Sequence, residues 1–220
     1  MITKKIETKF LDYLITYPDN YNPDHSYSII IMLHGYGASM NDLSSLAQPI
    51  NSNDFIYIFP NAPINLNLGF NMTGYAWFPI ETGDYDSSSN LLKSTINKAL
   101  EEINYEKIFI SGFSQGGMMA IHSGLFSSNK YDGVIVLSSK LIHNNLIIRK
   151  NLPKDTKIFI RHGTLDNILN INEGRKINDE LQKLGFDVDY KEYKMAHEIN
   201  MNVINDLSFW LSKQKGIKNE

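Results

Sequence analysis

The chain contains no cysteine. A disulfide framework, thiolate catalysis and thiolate metal sites are therefore excluded from the outset. Long apolar runs are missing too. Stretches such as Ile29-Ile30-Ile31-Met32-Leu33 are far too short to span a bilayer and read as buried strands. The N-terminus Met1-Ile2-Thr3-Lys4-Lys5-Ile6-Glu7 carries positive charge with no apolar stretch behind it. That argues against a secretory signal and leaves the cytoplasm as the expected compartment. Neither sign of charge dominates. Lys and Arg number 21 against 24 Asp and Glu, a formal net charge of -3, with no basic block. Nucleic acid is therefore not an expected partner. No pair of histidines has helix-ligand spacing, so no metal is expected. Without a repeat or a linker, residues 1–220 are expected to form a single domain.

What the chain does contain is alternation between strand-like and helix-like runs. The strands predicted are Phe10 to Tyr17, Ser28 to Leu33, Phe55 to Phe59, Lys107 to Ser111, Gly133 to Leu137, Lys157 to Arg161 and Phe186 to Tyr193. The inner ones are continuously apolar and rich in Ile, Val and Phe, as parallel strands covered on both faces require. Phe10 to Tyr17 alternates less cleanly and suits an antiparallel edge. Helices are predicted over Asn41 to Asn51, Ser87 to Glu102, Gly116 to Phe126, Asn172 to Leu184 and His197 to Lys213. Gly185 stands where a left-handed C-cap is wanted. The order implies an α/β fold: a mostly parallel sheet with helices on both faces. Asn61 to Asp86 reads as a long loop, and a frayed tail is expected from Lys213 onward. Lys140 to Pro153 fits either helix or loop.

One stretch carries chemistry. Gly112-Phe113-Ser114-Gln115-Gly116 follows a strand and opens a helix, the setting of a nucleophile elbow. The chain doubles back there, so the positions two before and two after the serine must be small, as Gly112 and Gly116 are. A serine hydroxyl needs a base within reach, and the base needs a carboxylate to fix its tautomer. Asp166 and His197 follow Ser114 in the order Ser, acid, His, each just past the end of a predicted strand, the rim where open α/β sheets gather their sites. Asp155 and Asp187 are rivals for the acid, but they lie before or at strand starts. Past Leu33, His34-Gly35-Tyr36-Gly37 lets a backbone amide approach an oxyanion. The expected donors are the amides of Tyr36 and Gln115, with His34 structural.

Taken together, Leu33-His34-Gly35-Tyr36-Gly37, Trp77-Phe78, Gly112 to Gly117, His162-Gly163-Thr164-Leu165-Asp166 and Met195-Ala196-His197 resemble the motif series of the phospholipase/carboxylesterase family. The resemblance runs from about Ser28 to the C-terminal helix. It implies an α/β-hydrolase fold without a large cap domain. It also implies hydrolysis of acyl esters or thioesters, on a small molecule, a lipid or an acylated protein, with no cofactor. Two departures touch the acyl pocket: Pro79 stands where members usually have an acidic residue after Trp-Phe, and Asn167-Ile168-Leu169 replaces the usual Pro and valines after the acid. Ile168 is accordingly a substrate-binding candidate.

Trp77 and Phe78, inside a polar and glycine-rich loop, are expected as pocket walls. Leu66, Leu68, Phe70, Met72 and Tyr75 form either a flap over an acyl chain or a self-packed Ω-loop. Met118 fits the pocket or the helix core. An apolar loop this large also suits a homodimer contact or transient contact with a membrane surface. Two other function classes compete. Arg161-His162-Gly163 matches the phosphate-binding signature of histidine phosphatases, although too little chain follows it for that fold. A binding protein on a hydrolase scaffold has no need of all three triad groups.

Overall fold

The computed structural model describes residues 1–70, 72–127, 129–142 and 152–216. The strands are β1 (Ile2–Ile6), β2 (Tyr13–Tyr17), β3 (Tyr27–Leu33), β4 (Phe55–Pro60), β5 (Ile64–Asn67), β6 (Thr73–Ala76), β7 (Tyr105–Phe113), β8 (Gly133–Leu137), β9 (Lys157–Gly163) and β10 (Val188–Tyr193). The helices are α1 (Ala47–Ile50), α2 (Asp86–Leu100), α3 (Gln115–Ile121), α4 (Ile171–Lys183) and α5 (Met201–Lys215). Eight strands form one sheet in the order β1-β2-β4-β3-β7-β8-β9-β10. From β4 to β10 every pairing is parallel, while β1 and β2 run antiparallel at one side.

Strand residues alternate faces, so each central strand feeds two cores. Ile29, Ile31, Ile110, Val134 and Ile160 pack toward Leu92 and Ile96 of α2, Met119 of α3 and Ile177 of α4. Ile30, Met32, Phe109, Ile135 and Phe159 pack on the other face toward Ile50 of α1 and Leu207 and Trp210 of α5. This is the α/β-hydrolase architecture expected, with no large cap. Among the described residues, no helix is long and apolar enough to cross a membrane.

Several details differ from the sequence reading. The second strand begins at Tyr13, because the Thr8 hydroxyl and the Asp12 carboxylate tie residues 8–12 into a turn. It lies inside the sheet, and β1, exposed and charged, is the edge. The helix expected over Asn41 to Asn51 contracts to a 3-10 turn over Ser44–Leu46 and the short α1. Pro49 has no N–H to donate and is tolerated only in a first turn. The helix expected from Gly116 to Phe126 is regular to Ile121 and then widens into a π-helical turn over His122–Phe126. The last helix starts at Met201, where the Asn200 side chain accepts from the Val203 N–H at 3.1 Å, leaving His197 in the loop before it. Most of Lys140 to Pro153 and the tail from residue 217 lie outside the described residues.

Candidate active site

Ser114 sits between β7 and α3 with φ 55° and ψ −119°, a conformation a side-chain-bearing residue adopts only under strain of roughly 1–3 kcal/mol. Tight backbone contacts impose it. A Cβ on Gly112 would lie 2.1 Å from the Gly116 carbonyl oxygen, and one on Gly116 would lie 2.0 Å from that of Leu33. The Ser114 N–H donates to the Leu137 carbonyl at 3.0 Å, and its own carbonyl accepts from the Ser139 hydroxyl at 2.7 Å. Neighbouring β8 and its exit loop thus hold the turn.

Asp166 follows β9 and is buried. One carboxylate oxygen accepts from the Ile168 and Leu169 N–H groups at 2.9 and 2.8 Å; the other lies 2.7 Å from His197 Nδ1. Burial pushes the Asp166 pKa up, but the His197 hydrogen bond and the two amides outweigh it and hold the carboxyl below its ordinary value. The carboxylate fixes the proton on Nδ1, leaving Nε2 as the basic nitrogen. The His197 ring packs on Phe113, centroids 4.7 Å apart, and the side chain is 16% exposed. Asp155 and Asp187 have no part in this arrangement; Asp187 pairs with Lys157.

His34 is buried and faces away from solvent. Its Nδ1 bonds the Gly35 carbonyl at 2.8 Å, and its Nε2 accepts from the Ala62 N–H at 3.0 Å. Burial drives its pKa down to about 4 against the Gly35 bond, so the ring is neutral and anchors the loop. Among the described residues, no backbone acceptor takes the Tyr36 N–H. The Gln115 N–H is the first of α3 and lacks an intrahelical partner.

The Gln115 side chain was not singled out by sequence reasoning, yet it ties the site together. Its Oε1 accepts from the Trp77 N–H at 2.9 Å, and its Nε2 donates to the Phe78 carbonyl at 2.7 Å. Trp77 Nε1 donates to the His34 carbonyl at 2.9 Å, and the Ser88 hydroxyl donates to the Trp77 carbonyl.

Ser114 and His197 open on one cavity of about 360 Å³, lined also by Tyr36, Phe78, Ile80, Gln115, Met118, Lys140, Ile168 and Leu169. Phe78, Met118 and Ile168 lie on this wall. Trp77 is not on this wall: it is fully buried behind it, because its indole N–H reaches the His34 carbonyl. Leu68 and Phe70 are not on it either. The segment expected as loop holds the β5–β6 hairpin, whose turn projects into solvent and leaves Phe70 98% exposed. A larger hollow of about 680 Å³ beside β1, β2 and the end of α2 contains no triad residue.

The phosphatase alternative fails on geometry. Arg161 and His162 point to opposite faces of β9. Arg161 bonds Asp206 and Asp189 and stacks on Phe159. His162 faces the Leu169 carbonyl and packs under Gly174.

Fold and site together define a serine-type α/β-hydrolase. Residues 22–215 match the Phospholipase/Carboxylesterase family, and the chain belongs to that family. It is 32% identical over 214 residues to acyl-protein thioesterase 1 of Emericella nidulans, covering 84% of this chain and 89% of that protein. With acyl-protein thioesterase 1 of Debaryomyces hansenii the identity is 33% over 213 residues, 82% and 91% of the two chains. Esterase PE8 superposes with a TM-score of 0.77 at 22% identity, covering 90% of this chain and 96% of that one. The Bacillus cereus carboxylesterase gives 0.76 at 18%, covering 94% and 95%. At those identities the likeness is one of fold.

Proposed function

We propose that the protein hydrolyses acyl esters or thioesters through an acyl-enzyme on Ser114. The observation that carries this is the His197–Asp166 hydrogen bond opening on the same cavity as the strained Ser114. His197 takes the hydroxyl proton as Ser114 attacks the carbonyl, and Asp166 stabilises the imidazolium that forms. The N–H groups of Tyr36 and Gln115 receive the oxyanion, each contributing on the order of 3 kcal/mol in comparable sites. His197 then protonates the leaving alcohol or thiol and activates the water that frees the enzyme. Phe78, Met118, Ile80 and Ile168 receive the acyl chain. No step needs a metal or cofactor.

A fluorophosphonate should label the wild type stoichiometrically and leave Ser114→Ala unlabelled. Labelling that survives the substitution rejects Ser114. The named relatives favour a thioester on an acylated protein, and comparing rates on such a protein and on p-nitrophenyl butyrate decides between the two donors. The exposed hairpin turn with Leu68, Phe70 and Met72 favours contact with another surface: a membrane, where the protein would act as a lysophospholipase, or a second copy in a homodimer. Liposome co-sedimentation that Phe70→Asp leaves unchanged removes the membrane reading.

A further inference from the structure

Among the described residues, the cavity wall contains one lysine, and the proposed chemistry does not use it. Lys140 leaves the exit of β8 half-buried and lines the cavity beside Phe78, Ile80, Met118, Ile168 and Leu169. Among the described residues, no carboxylate lies on that wall, and Asp166 is sealed behind His197. Among the described residues, Lys140 has no ion-pair partner. Between Lys140 and Pro153 the sequence has no Asp or Glu, so the segment that follows has no counter-charge to offer. The apolar neighbours on this wall give an ammonium no partner, and a bound anion would supply one. The strand order fixes where such an anion would sit. Tyr36 follows β3 on one side of Ser114, and Lys140 follows β8 on the other. A group held by Lys140 therefore lies across the nucleophile from the Tyr36 amide.

We propose that Lys140 is a specificity-determining residue that pairs with a carboxylate or phosphate on the substrate. The favoured substrates are then esters or thioesters bearing a negative charge a few bonds from the scissile carbonyl. This rests on the hydrolase reading above. The anion belongs either to the acyl part, as in the half-ester of a dicarboxylic acid, or to the leaving group, as in an acylated phosphoalcohol.

Two substrate pairs separate these sources. Mono-p-nitrophenyl glutarate against p-nitrophenyl butyrate places the charge on the acyl side. Glycerol monobutyrate 3-phosphate against glycerol monobutyrate places it on the leaving group. The readout is the ratio of kcat/KM for the charged to the neutral member within each variant, so that any general effect of a substitution cancels. In one pair Lys140→Gln should lower the ratio about tenfold, the loss of one charged hydrogen bond in a half-buried site. Lys140→Glu should lower it further, Lys140→Arg should keep most of it, and added salt should reduce it in the wild type. The pair that responds identifies the side. Ratios in both pairs that stay within twofold of wild type in Lys140→Gln and Lys140→Glu overturn the proposal. A wild type that turns over neither neutral ester and resists the fluorophosphonate sinks the hydrolase reading, and this proposal with it.

Discussion

Replacing Gln115 tests how the site is held together. The side chain is buried and satisfies two buried backbone groups at once, the Trp77 N–H at 2.9 Å and the Phe78 carbonyl at 2.7 Å. Gln115→Ala strips both. A buried polar group left unpaired costs about 1–3 kcal/mol, so the pair costs roughly 2–6 kcal/mol. For a chain of this size, at about 2–4 °C per kcal/mol, that lowers Tm by about 4–24 °C. Because Phe78 lines the cavity, kcat/KM on a butyrate ester should fall as well. Gln115→Glu keeps the acceptor for Trp77 but sets a carboxylate against the Phe78 carbonyl, which raises the folded pKa of the new carboxyl above its unfolded value of about 4.3. A raised folded pKa means stability that is full below the unfolded value and is lost as pH rises through the folded one. The Gln115→Glu deficit should therefore shrink on acidification, while that of Gln115→Ala should not. Calorimetric scans at pH 5 and pH 8 read both effects. A Gln115→Ala Tm within about 1 °C of wild type would refute the clamp.

Asp166→Asn should lower kcat about 10⁴-fold with little change in Tm, because the oxygen bound by the Ile168 and Leu169 N–H groups is retained while His197 is driven to the wrong tautomer. A loss under tenfold in ester hydrolysis contradicts the role. Gly116→Ala presses a methyl to 2.0 Å from the Leu33 carbonyl oxygen and 2.5 Å from that of His34, neither of which is a side chain that can yield. Wild-type soluble yield and Tm in that variant would disprove the close packing of the elbow on β3. His34, with its pKa depressed to about 4, binds a proton more readily in the unfolded chain. Its contribution is complete above pH ~6.5 and is lost as pH falls toward 4, worth up to about 3 kcal/mol. Urea unfolding at pH 7 and pH 4.5 should show that slope in the wild type and a smaller one in His34→Gln.

The sheet was legible because burial on both faces leaves continuous apolar runs, as in Ile29 to Leu33 and Gly133 to Leu137. Its edge was not. β1 reads Ile-Thr-Lys-Lys-Ile and is exposed almost throughout, so no apolar pattern marks it; its partner β2 and the hydrogen bonds between them define it. The helix lost around Pro49 had a local signal that the hydrophobic pattern overrode. The β5–β6 hairpin was hidden for a different reason. Its anchor is remote: Gly37 donates to the Tyr75 carbonyl and Tyr75 to that of Ala38, while Gly74 passes so close to Gly37 that no Cβ fits.

The site divides in the same way. Ser114, Asp166 and His197 announce themselves through strand ends and glycine spacing, which are local. The choice between Trp77 and Phe78 for the cavity is not local, because a segment without periodicity carries no phase. Three tethers supply the phase. The indole N–H of Trp77 holds the His34 carbonyl at the end of β3, its amide N–H holds the Gln115 side chain at the start of α3, and its carbonyl takes the Ser88 hydroxyl of α2. The two peptide donors proposed for the oxyanion come from the segments following β3 and β7, and Trp77 bonds a neighbouring group in each: the His34 carbonyl and the Gln115 side chain. A residue that reads as a substrate wall in sequence thus acts from behind the wall. Its bonds to the His34 carbonyl and the Gln115 side chain brace the two segments that carry the amides proposed to receive the oxyanion.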